Sequence, residues 1–332
     1  MKAARCTTYG PPGGIVVAEV EDPEPGPGEV LVRVHAAAVN YPDVLIAANR
    51  YQVSAPLPFT CGSEFAGVVA ALGPGVSGPA VGTPVSGGVF TGAFAEQVVV
   101  PAGALRPVPA GLDMVHAAAF HVTYGTAYHS LVTVGAGAAG EWVVVLGAAG
   151  GVGSATVDVA TRLSMRVVAA ASSEERLAVA RTLGAEAGID YVRENLKLRI
   201  RELTGGTGAD VVIDPVGGDH AEAALRALRW GGRFVTVGFA DGRIPRIPLN
   251  LVLLKNVVLR GFEARSLRKY SPDAAAAGDA ALARLVADGM RPLVSRVHPL
   301  ADVATALAGV AERRATGKIV IDMEKGEMEE AA

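Results

Sequence analysis

The residues best suited to chemistry form a glycine-rich turn at residues 147–153 (GAAGGVG). An apolar run at residues 142–146 precedes this turn, and a helical pattern at residues 154–163 follows it. Glycine lets the backbone turn sharply and approach a pyrophosphate, while a helix N-terminus offers free N–H groups and a partial positive charge. A strand, a glycine turn and a helix in this order predict a dinucleotide-binding site. The predicted cofactor contacts in the turn are Gly147, Ala149, Gly150, Gly151, Val152 and Gly153.

The end of the second predicted strand, residues 166–171, indicates which dinucleotide binds. An Asp or Glu about 20 residues past the fingerprint usually holds the ribose 2′-hydroxyl, but here Ser172 and Ser173 follow the strand, with Arg176 close behind. Hydroxyls and a guanidinium bind a 2′-phosphate, which a carboxylate would repel. We therefore predict NADPH (NADP) as the cofactor. In the alternative interpretation a serine caps the next helix, with Glu175 completing a capping box, and both roles can hold together.

The elements that must position these residues divide the chain into two parts. Strands and helices alternate from the fingerprint to residue 261, which predicts a doubly wound parallel sheet with right-handed crossovers. Ligands bind at the carboxyl ends of such strands, where Gly238 and Phe239 follow a predicted strand at residues 233–237. Residues 1 to about 120 instead show short strands between Gly/Pro clusters, which predict a small barrel or sandwich.

Composition excludes several classes of function. The length of 332 residues suits about two domains, and every apolar run is interrupted well before the ~18 residues that a membrane span needs. The net charge of −3, with dispersed Lys and Arg, gives no basic stripe for nucleic acid. The N-terminal sequence MKAARCTTYG lacks an apolar signal region, so we expect a cytoplasmic location. These features predict a small-molecule substrate, with neither nucleic acid nor a membrane as partner.

Several motifs together resemble the zinc-free quinone oxidoreductase branch of the medium-chain dehydrogenase/reductase superfamily, which includes zeta-crystallin. They are residues 25–30 (PGPGEV), 39–43 (VNYPD), 62–69 (GSEFAGVV), 147–153 (GAAGGVG) and 316–320 (TGKIV). The resemblance covers nearly the whole chain. It implies an α/β protein with a GroES-like β-barrel substrate domain and a Rossmann doubly wound parallel sheet.

The resemblance also implies a domain order and an assembly. The expected domains are 1–122 for the GroES-like substrate and catalytic part, 123–262 for the Rossmann part, and 263–332 for a C-terminal return that completes the substrate domain. A homodimer through edge strands of the two Rossmann sheets is implied as well. The apolar run at residues 249–258 suits that contact.

The family resemblance further implies an active site in the cleft between the domains, where hydrogen bonds polarise the carbonyl of the acceptor. Asn40, Tyr41 and Tyr51 match cleft positions of the family and are the candidate catalytic residues. Alternatively, Tyr41 is a turn aromatic before Pro42, and Tyr51 only packs over the cleft mouth.

Further cofactor contacts come from the same resemblance. His121 and Thr123 lie where relatives contact the nicotinamide, Tyr191 resembles a residue that contacts the cofactor phosphates, and Lys318 belongs to the last motif. The competing interpretations are a simple helix residue for Thr123 and strand-end packing for Tyr191.

We expect no metal. The zinc alcohol dehydrogenases of this superfamily have a Cys where this chain has Asn40 or Tyr41, and a His where it has Ser63. A catalytic zinc needs three His, Cys or carboxylate ligands, but Cys6 and Cys61 form no ligand-spaced pair and the histidines show no ligand pattern. His116 and His121 are interpreted as residues on helix faces.

Three functions fit these observations. The leading one is NADPH-dependent reduction of a quinone or a related conjugated carbonyl, by hydride transfer without zinc. The second is reduction of an alkenal, acryloyl-type or enoyl double bond, because the same zinc-free site serves either acceptor. The third is a non-catalytic NADPH-binding protein. The sequence does not separate the first two.

Overall fold

The computed structural model describes residues 1–325 and divides the chain into two compact units. The first unit contains Met1–Val122 and the segment from Arg291 onward, and the second contains Thr123–Met290. The C-terminal return was predicted to begin at residue 263, but residues 263–290 belong to the second unit. Its final residues, 326–332, lie outside the described residues.

The described residues, 1–325, form strands, α-helices and a few shorter helical turns. In chain order the strands are β1 (Lys2–Cys6), β2 (Val16–Glu19), β3 (Glu29–Val39), β4 (Phe59–Thr60), β5 (Glu64–Leu72), β6 (Pro84–Gly88), β7 (Gln97–Pro101), β8 (Leu105–Pro107), β9 (Trp142–Leu146), β10 (Arg166–Ala171), β11 (Ala187–Asp190), β12 (Ala209–Asp214), β13 (Leu228–Thr236), β14 (Val258–Gly261), β15 (Val294–Pro299) and β16 (Lys318–Asp322). The α-helices are α1 (Tyr41–Ala47), α2 (Met114–Ala118), α3 (His121–Tyr128), α4 (Gly151–Arg162), α5 (Glu174–Thr182), α6 (Leu196–Leu203), α7 (Asp219–Arg226), α8 (Leu249–Lys255), α9 (Ala264–Tyr270), α10 (Pro272–Ala287) and α11 (Val303–Ala311). Three 3₁₀ turns and one π-helix complete the described elements: Pro12–Gly14, Ala102–Ala104, Leu300–Asp302 and the π-helix His129–Val134.

The first unit is built around the long strand β3. A seven-stranded sheet has the order β15-β16-β3-β5-β6-β8, with β7 also paired to β3, and a smaller sheet has the order β2-β1-β4. Along β3, Val30, Val32 and Val34 are buried while Arg33 is exposed, the period-two pattern of a strand with one face in the core. β16 pairs antiparallel with β3 and so brings the C-terminal segment to the end of β3.

The second unit contains a six-stranded parallel sheet in the order β11-β10-β9-β12-β13-β14. Counted from β9 as the first strand, this is the doubly wound order, and it confirms the predicted sheet. Helices cover both faces of such a sheet, which explains why β9 is a continuous apolar run with Val143, Val144 and Val145 fully buried.

Packing of α10 keeps residues 263–290 with the second unit. The helix buries Ala275, Gly278, Leu282 and Val286. Gly278 lies directly on the ring of His129 in the π-helix, because a Cβ at Gly278 would be 2.1 Å from the Cε1 atom of His129. No helix among residues 1–325 has both the length and the apolarity needed to cross a bilayer.

Candidate active site

The glycine turn after β9 joins that strand to α4. Gly147 has φ of +60°, a left-handed conformation that glycine adopts without strain. The N–H of Gly150 donates to the carbonyl oxygen of Gly147 at 2.9 Å, and Gly150 is the N-cap of α4. The strand, turn and helix predicted from the sequence are therefore present in the expected order.

Gly153 lets the first turn of α4 lie against the glycine turn. A Cβ at Gly153 would be 2.1 Å from the carbonyl oxygen of Gly147, so any other residue would displace the backbone. Ser154 bonds back along the helix, its N–H donating to the carbonyl oxygen of Gly150 at 2.8 Å. The helical amides before Ser154 have no acceptor within the helix. These N–H groups and the helix dipole can hold a pyrophosphate.

Accessibility differs among the predicted contacts in this turn. Gly150, Gly151 and Val152 are only half-buried, so a ligand can reach their backbone. Ala149 is buried, and its methyl group faces the interior of the unit. Contacts in the turn therefore have to be made by backbone atoms, which is what a glycine-rich turn permits.

The end of β10 carries hydroxyl groups and no carboxylate. Ser172 is exposed, and Ser173 is the N-cap of α5, its Oγ accepting a hydrogen bond from the N–H of Arg176 at 3.4 Å. The helix-cap interpretation is thus confirmed for Ser173. The predicted capping box is wrong, because the third helical residue is Arg176 and not Glu175. The two serines and Arg176 lie within one turn of chain and can together hold a 2′-phosphate.

Tyr191 follows β11 at the same carboxyl edge of the sheet. Its N–H donates to the carbonyl oxygen of Ala171 at 3.1 Å, which ties it to the end of β10. Its ring lies 4.2 Å from the ring of His220 in α7. Burial lowers the pKa of His220 from its ordinary value. The sequence analysis gave His220 no role, because nothing in the local spacing shows that α7 approaches the end of β11.

Asp214 holds the loop after β12, and the sequence analysis missed it. The side chain is fully buried, and its Oδ1 accepts the N–H groups of Val216 and Gly217, each at 2.8 Å. Burial raises the pKa of Asp214. Its carbonyl oxygen accepts the N–H of Gly238 at 3.3 Å, so the predicted pair Gly238 and Phe239 is held beside this loop. An Asp at a strand end followed by Pro-Val-Gly-Gly was the available signal.

Thr123 lies in α3 and is 3% exposed. Its burial supports the competing interpretation of a helix residue, and its predicted contact with the nicotinamide stays a prediction.

A buried polar cluster lies in the first unit where β3, β5 and β16 meet. Glu64 Oε1 accepts the N–H of Val122 at 2.7 Å, and Glu64 Oε2 accepts the side-chain amide of Asn40 at 3.1 Å. Lys318 Nζ donates to Asn40 Oδ1 at 2.5 Å, to the carbonyl oxygen of Val39 at 3.0 Å and to Glu64 Oε2 at 3.3 Å. Every polar atom of this cluster that faces the interior therefore has a partner.

The contacts in this cluster favour structural roles for two residues that were predicted to meet the substrate or the cofactor. Asn40 is 5% exposed, and its amide group already bonds to Glu64, Lys318 and the carbonyl oxygen of Ala38. These bonds direct the Asn40 amide into the first unit rather than toward the carbonyl of a substrate. The side chain instead fixes the end of β3. Lys318 was predicted to contact the cofactor, but its three ammonium protons have acceptors inside the first unit and its side chain is 4% exposed.

Tyr41 is the first residue of α1, directly after Asn40, and is half-buried. Tyr51 lies beyond α1, and its ring centroid is 6.4 Å from that of Phe90. This contact supports the packing interpretation of Tyr51 without removing its hydroxyl as a donor.

His121 begins α3, and its Nε2 is 2.8 Å from the Oγ of Ser86, a fully buried residue in β6. The buried cluster thus holds Asn40, the residue before Tyr41, and Val122, the residue after His121.

Asp43 lies next to this cluster and is itself buried. Its Oδ2 accepts the N–H of Asn40 at 2.7 Å, a capping contact at the start of α1. Burial raises the pKa of Asp43 to about 6, and the hydrogen bond from Asn40 and the charge of Lys318 oppose that shift. The carboxyl group therefore changes charge close to neutral pH.

Comparisons with known proteins agree with the fold. Residues 26–110 match a family model described as an alcohol dehydrogenase GroES-like domain, and residues 151–277 match one described as a zinc-binding dehydrogenase. Quinone oxidoreductase-like protein 2 of Bos taurus is 37% identical over 324 residues, which are 97% of this chain and 92% of that protein. The quinone oxidoreductase of Thermus thermophilus, solved also as a complex with NADPH, is 33% identical, with a TM-score of 0.84 over 97% of this chain and 100% of that one.

A longer protein is also similar. A mycocerosic acid synthase-like polyketide synthase of Mycobacterium tuberculosis is 33% identical over 304 residues, which are 90% of this chain and only 14% of that protein. This chain therefore resembles one segment of the synthase. The GroES-like match and the parallel sheet confirm the predicted α/β fold class.

The residues present do not fit the zinc named by one family description. Among residues 1–325 no group of three or more His, Cys, Asp or Glu side chains is arranged to hold a metal ion. Asn40, at one position where zinc enzymes have a ligand, has its oxygen bonded to the ammonium of Lys318. The positive charge of Lys318 would repel a dication bound at Asn40.

The raised pKa of Asp43 predicts a pH dependence of stability. Because the folded pKa of about 6 exceeds the ordinary 3.8, the fold binds more protons than the unfolded chain between these values, and stability falls as the pH rises through that window. Relative to Asp43→Asn, the wild-type free energy of unfolding should fall by about 2 kcal/mol between pH 4 and 7. Denaturant unfolding at several pH values measures this difference. Asp288→Asn, at an exposed residue ending α10, is the control, and parallel curves for wild type and Asp43→Asn would contradict the prediction.

Proposed function

The chain belongs to the quinone oxidoreductase branch of the medium-chain dehydrogenase/reductase superfamily, and from that membership we propose that it reduces quinones or related conjugated carbonyls with NADPH, by hydride transfer without zinc. The observation that carries the proposal is the carboxyl edge of the parallel sheet. There the open N-terminus of α4 lies beside a strand end that carries Ser172, Ser173 and Arg176. Such an edge suits a dinucleotide that bears a 2′-phosphate.

NADPH is held by three groups of residues in this proposal. The first amides of α4 bind the pyrophosphate, and Ser172, Ser173 and Arg176 bind the 2′-phosphate. Tyr191, with Gly238 and Phe239, lines the same carboxyl edge and borders the rest of the cofactor. When bound, the cofactor supplies a hydride from its nicotinamide ring. The complex of the Thermus thermophilus relative with NADPH supports this assignment.

The acceptor is polarised by hydroxyl groups of the first unit. With Asn40 committed to the buried cluster, Tyr41 and Tyr51 remain the candidate donors, and a phenol can donate a hydrogen bond to the developing oxyanion. Reduction also needs a proton, which comes from water or from one of these tyrosines. The rest of the rate comes from alignment of the acceptor with the cofactor.

Double-bond reduction is the second candidate. The similarity to a segment of a polyketide synthase favours it, because chains built from acyl units acquire conjugated double bonds whose saturation needs the same hydride chemistry. The two functions differ in the group that receives the hydride. It is a quinone in the first case and a carbon of an alkene conjugated to a carbonyl in the second. The fold and the cofactor site are common to both.

Turnover with defined acceptors tests the proposed function. Purified protein in chelator-treated buffer is given NADPH with either quinones or 2-alkenals, and loss of absorbance of NADPH is followed against a blank without protein. We expect rapid turnover of quinones that added chelator does not change. Faster turnover of alkenals would favour the second candidate. NADPH binding without turnover of either class would contradict both and favour a non-catalytic binding protein.

Arg176→Ala tests the cofactor assignment. Loss of one charge-assisted hydrogen bond, about 1.5–3 kcal/mol, should weaken NADPH binding by about 10- to 100-fold and leave NADH binding nearly unchanged. Titration calorimetry with both cofactors measures the two affinities. The control is Arg166→Ala, at the amino end of β10 and paired with Glu186, which should alter neither affinity. Equal losses for both cofactors with Arg176→Ala would contradict the 2′-phosphate role.

A homodimer through the second unit also belongs to this proposal. β14 is the last strand of the parallel sheet and is exposed along its length, and in α8 Leu249, Leu253 and Leu254 are 74%, 81% and 70% exposed. An unpaired edge strand beside exposed leucines favours pairing with a second copy.

Light scattering after gel filtration tests this assembly. Wild type should have the mass of a dimer, and Leu253→Asp should have that of a monomer because it would bury a charge in the contact. Val81→Asp, at an exposed valine of the first unit, is the control and should stay dimeric. A monomeric wild type at micromolar concentration would contradict the assembly.

A further inference from the structure

The ion pair of Glu64 and Lys318 is almost completely shielded from water. The two side chains are 1% and 4% exposed, and Lys318 Nζ is 3.3 Å from Glu64 Oε2. Removing two charges from water is strongly unfavourable, and well-packed apolar residues in place of such a pair are often neutral or stabilising. Stability alone therefore does not account for a charged pair at this position.

Each charge holds a backbone position that leads into the candidate site. Glu64 Oε1 accepts the N–H of Val122, the residue after His121, at 2.7 Å. Glu64 Oε2 accepts the amide of Asn40, the residue before Tyr41, at 3.1 Å. One carboxylate thus links the start of α1 to the segment that ends at Val122, and both belong to the first unit.

Lys318 determines which way the Asn40 amide group faces. Its ammonium donates to Asn40 Oδ1, while Asn40 Nδ2 donates to the Glu64 carboxylate. Rotating the amide by half a turn would set its NH₂ group against the ammonium and its oxygen against the carboxylate, which are both repulsive. The pair of opposite charges therefore permits a single amide orientation, whereas apolar residues would permit either.

The local cap of α1 does not replace this arrangement. Asp43 Oδ2 accepts the N–H of Asn40, and that bond fixes the helix start to its own first turn. The Asp43 side chain also bonds to Ser63, directly before β5, but it makes no contact with β16 that would orient the Asn40 amide. Glu64 at the start of β5 and Lys318 at the start of β16 supply the connection to the sheet.

We propose that Glu64 and Lys318 are positioning residues, which hold the starts of α1 and of α3 in fixed relation so that Tyr41 and His121 present their side chains in one geometry. The proposal rests on the proposed function, because the geometry matters to rate only if these side chains face an acceptor. Displacement of a reacting group by about 1 Å can lower a rate by about 100-fold. Loss of the pair should therefore lower kcat and leave cofactor affinity intact.

The double variant Glu64→Gln/Lys318→Met tests this role. Gln keeps an oxygen for the Val122 N–H, and Met replaces the stem of Lys318 without its charge, so neither member of the pair is left as an unpaired charge. We expect a melting temperature within a few degrees of wild type, a kcat about 10- to 100-fold lower with quinone as acceptor, and an unchanged Kd for NADPH. An unchanged kcat would overturn the inference.

The matched control is Glu141→Gln/Arg233→Met. This pair is also largely shielded, at 19% and 17% exposure, but it lies in the second unit, with Glu141 directly before β9 and Arg233 within β13. It should leave kcat unchanged. If the Glu64/Lys318 double variant does not fold, Glu64→Asp alone carries the test, because it keeps the charge and shortens its reach to Val122 and Asn40; the same fall in kcat is expected, and an unchanged kcat again overturns the inference.

Hydrogen–deuterium exchange separates this inference from the proposed function. Amides in α1 should exchange at least about tenfold faster in the double variant than in the control, because the Asn40 side chain loses both of its charged partners. Unchanged exchange would overturn the positioning role whether or not wild type reduces quinones. If wild type reduces no acceptor while exchange rises as expected, the proposed function fails and the positioning of these segments stands.

Discussion

The first unit is organised around the satisfaction of one buried charge. Glu64 is fully buried, and a carboxylate in that position is tolerated only if donors surround it. The donors come from separate segments: the N–H of Val122, the amide of Asn40 and the ammonium of Lys318. The ends of β3, β5 and β16 must therefore meet in one place. Those ends are also where the chain turns toward the candidate site residues.

In the second unit, by contrast, some backbone donors have no acceptor within their own helix. At the start of α4, backbone N–H groups are left without acceptors in the helix, and Gly153 keeps side chains away from them. Such donors, together with the helix dipole, favour an anionic ligand. The first unit thus pairs the side chains of the Glu64, Asn40 and Lys318 cluster internally, whereas the second unit leaves helix donors open at the carboxyl edge of its sheet. Buried side chains that bond to one another suit a role in positioning other residues. Backbone donors left open at a helix start suit the binding of a ligand.

Local sequence patterns predicted the second unit well. The apolar run of β9, the glycine turn and α4 are consecutive in the chain, so their geometry follows from residue types alone. The cap at Ser173 was predicted for the same reason, although the capping box failed because Arg176 occupies the third helical position. The strand order could be predicted because doubly wound sheets follow a general rule of connection.

Contacts between distant residues could not be predicted in this way. Asn40 and Lys318 were assigned to catalysis and to the cofactor, because spacing within a motif does not reveal a partner 278 positions away. The packing of Gly278 on His129 was also hidden, and with it the membership of α10 in the second unit. Both errors have one physical origin. A buried side chain takes its role from its neighbours in space, which a single sequence does not state.

The discontinuity of the first unit has a consequence for how the protein is made. A nascent chain emerges from its N-terminus and folds as its segments become available. β3 and β5 are synthesised early. The carboxylate of Glu64 in β5, however, pairs with the ammonium of Lys318, which belongs to β16, the last strand of the described residues. The second unit, Thr123–Met290, is continuous and has all its strands before then. On the ribosome the unit that starts second can finish first, while the unit that starts first remains open until residue 318 has emerged.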